Sequence, residues 1–385
     1  MQTGVVQWTA QERVVHGKPA AKAVPEEMER IGAKRVLLLT TRSLADSRLV
    51  NAVSSALGDR CVGRFSDIHA HSPREAVIAG ARLARETDAD HLLAVGGGSV
   101  TDATKTMLVA LWRGATDVDA LSALALRRGS PGLTVQDTDR IRMTAVPTTL
   151  SAAEFTASAG VTDMQQRVKL SFSHPKMAPL CAIIDPAATL ETPMELMLST
   201  GMRAMDHAVE HWCSVKAHPL TDGLSVQAME MLASGLPAVK ARPDDLDARL
   251  ACQMASWLTQ VGGTHLVPNG ASHGIGYILG GYLGIPHGIT SCISLWATLQ
   301  WNEPVNAERQ RVVAEKLGRP GARPSTALRE FVKSLGLPTT LQEIGISADR
   351  IPELARQYKG TGPISTNPRP VKSADDLAEI LRIAA

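Results

Sequence analysis

A chain of 385 residues with 44% hydrophobic and 20% charged residues has enough apolar material for two domains with cores of their own. Its formal net charge of +2 gives no electrostatic reason to expect nucleic acid or an anionic membrane as a partner. No stretch approaches ~18 consecutive apolar residues, which argues against a membrane span. Cys61, Cys181, Cys213, Cys252 and Cys292 are scattered, odd in number and without a CxxC pair, a pattern that predicts buried thiols in a reducing compartment. No charged segment followed by a long apolar run opens the chain, so no signal peptide is expected and the cytoplasm is the expected location.

Taken in order, Lys34 to Thr41 is an apolar run of the kind found in a strand buried on both faces. Residues 48–58 read as a helix ending at Gly58, and Cys61 to Phe65 as a short strand. Pro73 opens an amphipathic helix from Arg74 to Glu86, in which Gly80 would allow close packing on a sheet. His91 to Val95 is a strand running into Gly96-Gly-Gly-Ser-Val-Thr-Asp-Ala-Thr-Lys105. Strands alternating with helices predict βαβ units and a largely parallel sheet.

The glycine run is the first motif with chemistry in it. Glycines at the carboxyl end of a strand let the backbone approach a ligand, and the helix starting near Ser99 points its free amides at that ligand, so a phosphate or pyrophosphate is the expected occupant. The pattern is neither GxGxxG nor a P-loop. Residues 127–137 read as a loop. Arg142 to Pro147 is a strand entering Thr148-Thr-Leu-Ser-Ala-Ala-Glu-Phe-Thr156, whose hydroxyls suit a ribose or phosphate, or the cap of the next helix. Lys169 lies in a polar, hairpin-like segment from Asp163 to His174, and Cys181 to Pro186 reads as a last strand. From about Pro193 helical periodicity dominates, with Ser373-Ala-Asp-Asp capping the final helix. A domain boundary is expected near residues 186–195.

In the helical part, Gly201 to His211 places Arg203, Asp206 and His207 on one face, at positions i, i+3 and i+4. With His273 and His287, each set in a glycine-rich segment, it marks the expected floor of an active site. His16, His69, His71, His91, His174, His211, His218 and His265 read as surface, capping or core groups.

Together, Gly96 to Lys105, Pro147 to Thr156, Ile183-Ile-Asp-Pro186, the Gly201 to Glu210 helix and Gly284-Ile-Pro-His-Gly288 resemble the iron-containing (group III) alcohol dehydrogenases, most closely their maleylacetate reductase branch. The resemblance spans nearly the whole chain. It implies an α/β N-terminal Rossmann-like dinucleotide-binding domain, residues 1–190, an all-α C-terminal domain, residues 191–385, and a cleft between them. It also implies hydride transfer with NAD(P)H, a small-molecule substrate and a homodimer. Carried over by position, Gly97, Gly98 and Ser99 match the pyrophosphate turn and Asp102 a residue facing the cofactor. Thr148 and Thr149 match positions near adenine and ribose, and Lys169 a lysine beside the nicotinamide ribose. Where NAD-preferring relatives carry an acidic residue, this chain has Thr41 with Arg42 beside it. A 2′-phosphate is then not repelled and an arginine can pair with it, so NADPH is expected to be accepted; a merely solvated Arg42 is the alternative.

Metal-dependent relatives hold iron or zinc with an Asp and a His four apart on one helix and two later histidines. His207, His273 and His287 match the histidines, but Arg203 stands in the aspartate's place. Three imidazoles can hold a divalent ion, yet a guanidinium some 5 Å away costs about 7 kcal/mol at an effective dielectric of 20, so a divalent metal is disfavoured. A planar cation suits a substrate carboxylate instead, in keeping with a branch described as working without an obligatory metal. Arg203 and the histidines would then stabilise developing enolate or alkoxide charge, and an imidazole or Tyr277 would supply the proton. Tyr277 stands where most relatives have a histidine, which leaves the proton relay open. The expected function is an NAD(P)H-dependent reductase of an acidic enone or keto acid. The alternatives are a metal-dependent alcohol dehydrogenase or aldehyde reductase, and a nucleotide-binding protein that has lost catalysis.

Overall fold

A computed structural model describes residues 8–70, 72–126, 133–136, 140–166, 168–261 and 267–385. His71, His265 and most of the loop expected over 127–137 lie outside the described residues. The described chain forms two compact units, Trp8–Thr192 and Pro193–Ala385.

The first unit is built on a six-stranded sheet whose neighbouring strands all run parallel. Its strands are β1 (Arg13–His16), β2 (Val36–Leu39), β3 (Cys61–Phe65), β4 (His91–Gly96), β5 (Arg142–Pro147) and β8 (Cys181–Ile184), in the order β1-β8-β5-β4-β2-β3. The run Val36–Leu39 is wholly buried because its side chains alternate between two cores. Leu37 and Leu39 meet helices α3 (Arg74–Glu86) and α4 (Gly98–Trp112) through Val77, Ala81 and Met107. Val36 and Leu38 meet α1 (Ala20–Ile31) and α2 (Arg48–Leu57) through Val24, Met28 and Val53. Helices on both faces of a parallel sheet are the doubly wound arrangement. The remaining strands, β6 (Ser158–Asp163) and β7 (Val168–Ser173), form an antiparallel hairpin that pairs Thr162 with Lys169.

The elements of this unit absent from the sequence reading include β1, α1 and the short helix α5 (Val118–Ala123). β1 is a four-residue edge strand bounded by Arg13 and His16, and α1 holds Pro25 and has no side-chain cap, so neither carries a strong local signal. Gly80 also differs from expectation. A Cβ there would come within 2.4 Å of Met107 Cε on α4 and 3.4 Å of Phe65 Cδ1 on β3, so the closest approach is to α4, with the sheet in contact beside it.

The second unit is helical: α6 (Met194–Cys213), α7 (Pro219–Ala241), α8 (Leu246–Leu258), α9 (Ala271–Leu283), α10 (His287–Lys316), α11 (Pro324–Ser334), α12 (Ile351–Ala355) and α13 (Ala374–Ile383). The last begins with the expected capping box, Ser373 with Asp376. Helices α7, α8, α9 and α10 all pack on α6, which buries Arg203, Asp206, His207 and Glu210 together. Charges on such a helix must find partners within the protein. Among the described residues no helix is long and apolar enough to cross a membrane.

Gly288, in the first turn of α10, lies against the backbone of α6. A Cβ there would stand 2.6 Å from the carbonyl carbon and oxygen of Ser199, and backbone cannot turn aside as a side chain does. Gly288→Ala is expected to destabilise the protein by about 3 kcal/mol and to lower Tm by about 6–12 °C. Gly281→Ala, where nothing lies within 4 Å, serves as the control, and calorimetry giving the two variants equal melting points would refute the close crossing.

Candidate active site

The first unit offers a strand-to-helix turn at the carboxyl end of β4. In the sheet order β2 has β3 on one side and β4 on the other, so the chain reverses direction there, and ligands of open parallel sheets bind at the carboxyl ends of such strands. β4 ends in this place at Gly96, and Gly97 caps α4 with no side-chain hydrogen bond. The turn is closed by Thr148 N–H donating to Gly96 O at 3.1 Å. A Cβ on Gly97 would stand 2.9 Å from Thr149 Cγ2, and one on Gly98 2.9 Å from Ser151 Oγ. Thr149 Oγ1 and Ser151 Oγ are both buried without a hydrogen-bond partner among the described residues. Unpaired buried hydroxyls beside free helix-terminal amides fit an anion such as a dinucleotide's pyrophosphate.

The other expected cofactor residues gather around this turn in part. Ser99 O accepts the hydroxyl of Ser72 at 2.8 Å. Asp102 Oδ2 accepts the amide of Gly160 at 3.2 Å, and the Lys169 side chain lies over the same glycine, 2.1 Å from where its Cβ would be. Asp102 and Lys169 thus both reach the hairpin at Gly160. Thr148 is 2% exposed, with its carbonyl accepting the Thr192 hydroxyl at 2.7 Å. Beyond β2, Thr41 Oγ1 bonds Ser43 Oγ at 3.0 Å. Arg42 is exposed, and its guanidinium lies 2.6 Å from Asp67, a surface partner that a 2′-phosphate would have to displace.

The second unit supplies a buried polar network centred on α6. Glu210 accepts Gly270 N–H on Oε2 at 2.7 Å and Ser272 N–H on Oε1 at 2.8 Å, closing the amino end of α9. Its Oε2 also lies 2.7 Å from His273 Nδ1, and His273 Nε2 lies 3.0 Å from His207 Nδ1. One turn earlier, Asp206 Oδ2 accepts the hydroxyls of Ser272 at 2.9 Å and Ser291 at 2.6 Å. Arg203 Nη1 donates to Ser291 Oγ at 3.2 Å and stands 3.5 Å from Asp206 Oδ2. These bonds leave from Nη1 alone, so Nε and Nη2 of Arg203 have no partner among the described residues.

Electrostatics divides the two histidines. Burial and Arg203 oppose charge on His273, but Asp206 and Glu210 outweigh them and raise its pKa above the ordinary histidine value. Burial, then His273 and Arg203, push His207 well below that value. Burial alone would raise Asp206; His273 and Arg203 instead hold it low. His273 Nε2 is therefore the favoured donor in its 3.0 Å contact with His207 Nδ1.

The resemblance implies His207, His273 and His287 as metal ligands. Among the described residues, however, the donor atoms close enough to share an ion, within 4.8 Å, belong to Asp206, Glu210 and His273. Most of those atoms are already occupied, although Asp206 Oδ1 is buried without a hydrogen-bond partner among the described residues. Asp206 Oδ2 takes two hydroxyls, Glu210 takes two amides and His273, and Arg203 brings a positive charge to 3.5 Å. A divalent ion here would have to displace His273 from Glu210 and lie beside the Arg203 guanidinium, which disfavours it. His287 lies instead beside Tyr277, with ring centroids 6.0 Å apart, and Tyr277 is 45% exposed. Glu210, Ser272 and Ser291 have no assigned role in the sequence reading. The usable signal was helical spacing, since Glu210 follows Asp206 by four residues and His207 by three.

Residues 11–186 match the family described as iron-containing alcohol dehydrogenase, and residues 197–385 its C-terminal domain family. The chain is 30% identical to maleylacetate reductase 1 of Cupriavidus pinatubonensis over 97% of this chain and 94% of that one. It is 28% identical to the NAD-dependent methanol dehydrogenase of Bacillus methanolicus, over 96% of this chain and 97% of the relative. The crystal structure of maleylacetate reductase from Rhizobium sp. superposes with a TM-score of 0.81 at 27% identity, covering 100% of this chain and 98% of that one.

Proposed function

Because the chain belongs to the iron-containing alcohol dehydrogenase family and is an NAD(P)-dependent oxidoreductase, we propose that it reduces a carboxylated enone or keto acid, as a maleylacetate reductase does, without a catalytic metal. The observation that carries this reading is the buried Arg203, 8% exposed, whose guanidinium keeps Nε and Nη2 unspent. Those donors form a planar fork that matches a carboxylate.

A bound NAD(P)H would supply the hydride, with the Gly97–Gly98 turn and Thr149 holding its pyrophosphate and Asp102 facing the cofactor. Everything else falls to the chain's own side chains. Arg203 binds and orients the substrate's carboxylate. With His273 it makes the surroundings of His207 positive, which favours the enolate or alkoxide formed on reduction. A proton from the His207–His273 pair completes the reduction. Cys61, Cys181, Cys213, Cys252 and Cys292 are all free thiols, which supports a reducing, cytoplasmic setting; a homodimer is the family expectation. Neither nucleic acid nor a membrane is needed as a partner.

Membership of a family described as iron-containing favours a second reading, a metal-dependent alcohol dehydrogenase or aldehyde reductase. Chelator-treated protein, assayed with NADPH against carboxylated enones and small aldehydes, separates the two. Turnover of the carboxylated compound is expected to survive chelation. Activity lost on chelation and restored by iron or zinc would establish the second reading, and cofactor binding without turnover of any carbonyl compound would leave a binding protein.

A further inference from the structure

Lys105, two turns into α4, is a cation with no exposed surface. A buried ammonium must place its hydrogens on acceptors within the protein. Lys105 places them all on one segment: Nζ donates to Ala153 O, to Thr156 Oγ1 at 2.8 Å and to Ser158 O at 2.9 Å. One turn earlier on the same helix, Asp102 Oδ2 accepts the amide of Gly160 at 3.2 Å. The cation takes carbonyls and the anion takes an amide, so α4 grips residues 153–160 through both polarities of the backbone. Burial pushes the Lys105 ammonium down to about 8 against the pull of Asp102 and Glu154, which leaves it charged at neutral pH.

The gripped segment runs on directly from the loop that lies against the glycine turn. Ser151 Oγ stands 2.9 Å, and Ala153 Cβ 3.8 Å, from where a Cβ on Gly98 would be. Between those two residues Ala152 holds φ 62° and ψ 9°. This left-handed conformation is unfavourable for any residue with a Cβ and persists only where the surroundings fix it. The carbonyl that follows the bend is the one Lys105 holds. Lys105 itself does not reach the turn, since it stands about 10 Å from Gly98 along the helix axis.

We propose that Lys105 is a positioning residue for cofactor binding: its bonds to Ala153, Thr156 and Ser158 hold the bend at Ala152 and so keep Thr149 and Ser151 set against Gly97 and Gly98. The inference rests on the reading of that turn as the pyrophosphate site. With the three bonds made, the loop's hydroxyls and the amides of α4 are arranged before the cofactor arrives. With an apolar chain at 105 the bend loses its support, and the loop takes the binding arrangement for only part of the time. A site competent about a tenth of the time binds about tenfold more weakly.

The full-length protein is compared with Lys105→Met, Thr156→Val and Val53→Ala by fluorescence titration of NADPH, by calorimetry, and by hydrogen exchange without cofactor. Lys105→Met is expected to raise the NADPH Kd about tenfold. The Phe155 and Thr156 amides, which donate to Ala152 O and Ala153 O at 3.2 Å, should exchange faster by about the same factor. Val53→Ala removes buried volume on the opposite face of the sheet. It should lower Tm as well while keeping Kd within about twofold and the two amides unchanged. Thr156→Val deletes one of the three acceptors and should raise Kd about threefold, and it carries the test if Lys105→Met does not fold. An unchanged Kd or unchanged amide exchange in Lys105→Met, or an equal loss of affinity in Val53→Ala, would overturn the proposal. If the wild type binds no NADPH, the reading of the turn fails, while the exchange comparison needs no cofactor and still decides whether Lys105 holds the loop.

Discussion

Arg203→Ala is expected to raise KM for a carboxylated substrate about 100-fold, corresponding to the loss of about 2.7 kcal/mol from charge-assisted hydrogen bonds to a partly desolvated anion. For an uncharged aldehyde of similar size the same variant should change KM less than about threefold. The contrast between substrates is what isolates the anion site. Arg203 also stands 3.5 Å from Asp206, so its removal strips that carboxylate of one neighbour. Asp206 keeps the hydroxyls of Ser272 and Ser291 and the nearby His273, and any resulting loss of order would affect both substrates alike. Arg203→Lys should fall between wild type and alanine, because lysine restores the charge without the planar fork. Equal increases in KM for charged and uncharged substrates would remove the support for a carboxylated substrate.

Gly97→Ala is expected to weaken NADPH binding about 100-fold, which titration of the cofactor's fluorescence would read directly. The new Cβ would stand 2.9 Å from Thr149 Cγ2 and 3.1 Å from its Oγ1. Thr149 is buried and β-branched, with little rotamer freedom to give way, so the turn itself must shift and its amides lose their aim at the phosphates. Thr149→Val separates this strain from hydrogen bonding. It deletes an Oγ1 that is unpaired among the described residues, so the apoprotein should lose no stability while cofactor affinity drops about tenfold. An unchanged Kd in Gly97→Ala would show that the cofactor lies elsewhere.

The parts of this protein legible in its sequence are those governed by neighbours a few residues apart. The apolar run at Val36–Leu39, the helix at Arg74–Glu86 and the capping box at Ser373 were readable because burial on two faces, helical period and cap chemistry each act within about one turn or strand. The Gly96–Gly98 turn was readable for the same reason, as a strand end running straight into a helix start. Elements with weak local signals were not: β1 is set by its pairing with β8, Val15 beside Ile183, across most of the first unit.

The site divides along the same line. Helical spacing placed Arg203, Asp206 and His207 on one face, and the family resemblance put an arginine where metal-dependent relatives carry an aspartate. Only the tertiary structure decided what that face does. It brought Ser272 and Ser291 to Asp206 from sequence separations of 66 and 85 residues, and Gly270 and His273 to Glu210 from 60 and 63. The reason is physical: a helix buried on all sides must satisfy its charges through whichever side chains packing delivers. That choice is made by the crossing of α6 with α9 and α10, which no local spacing encodes.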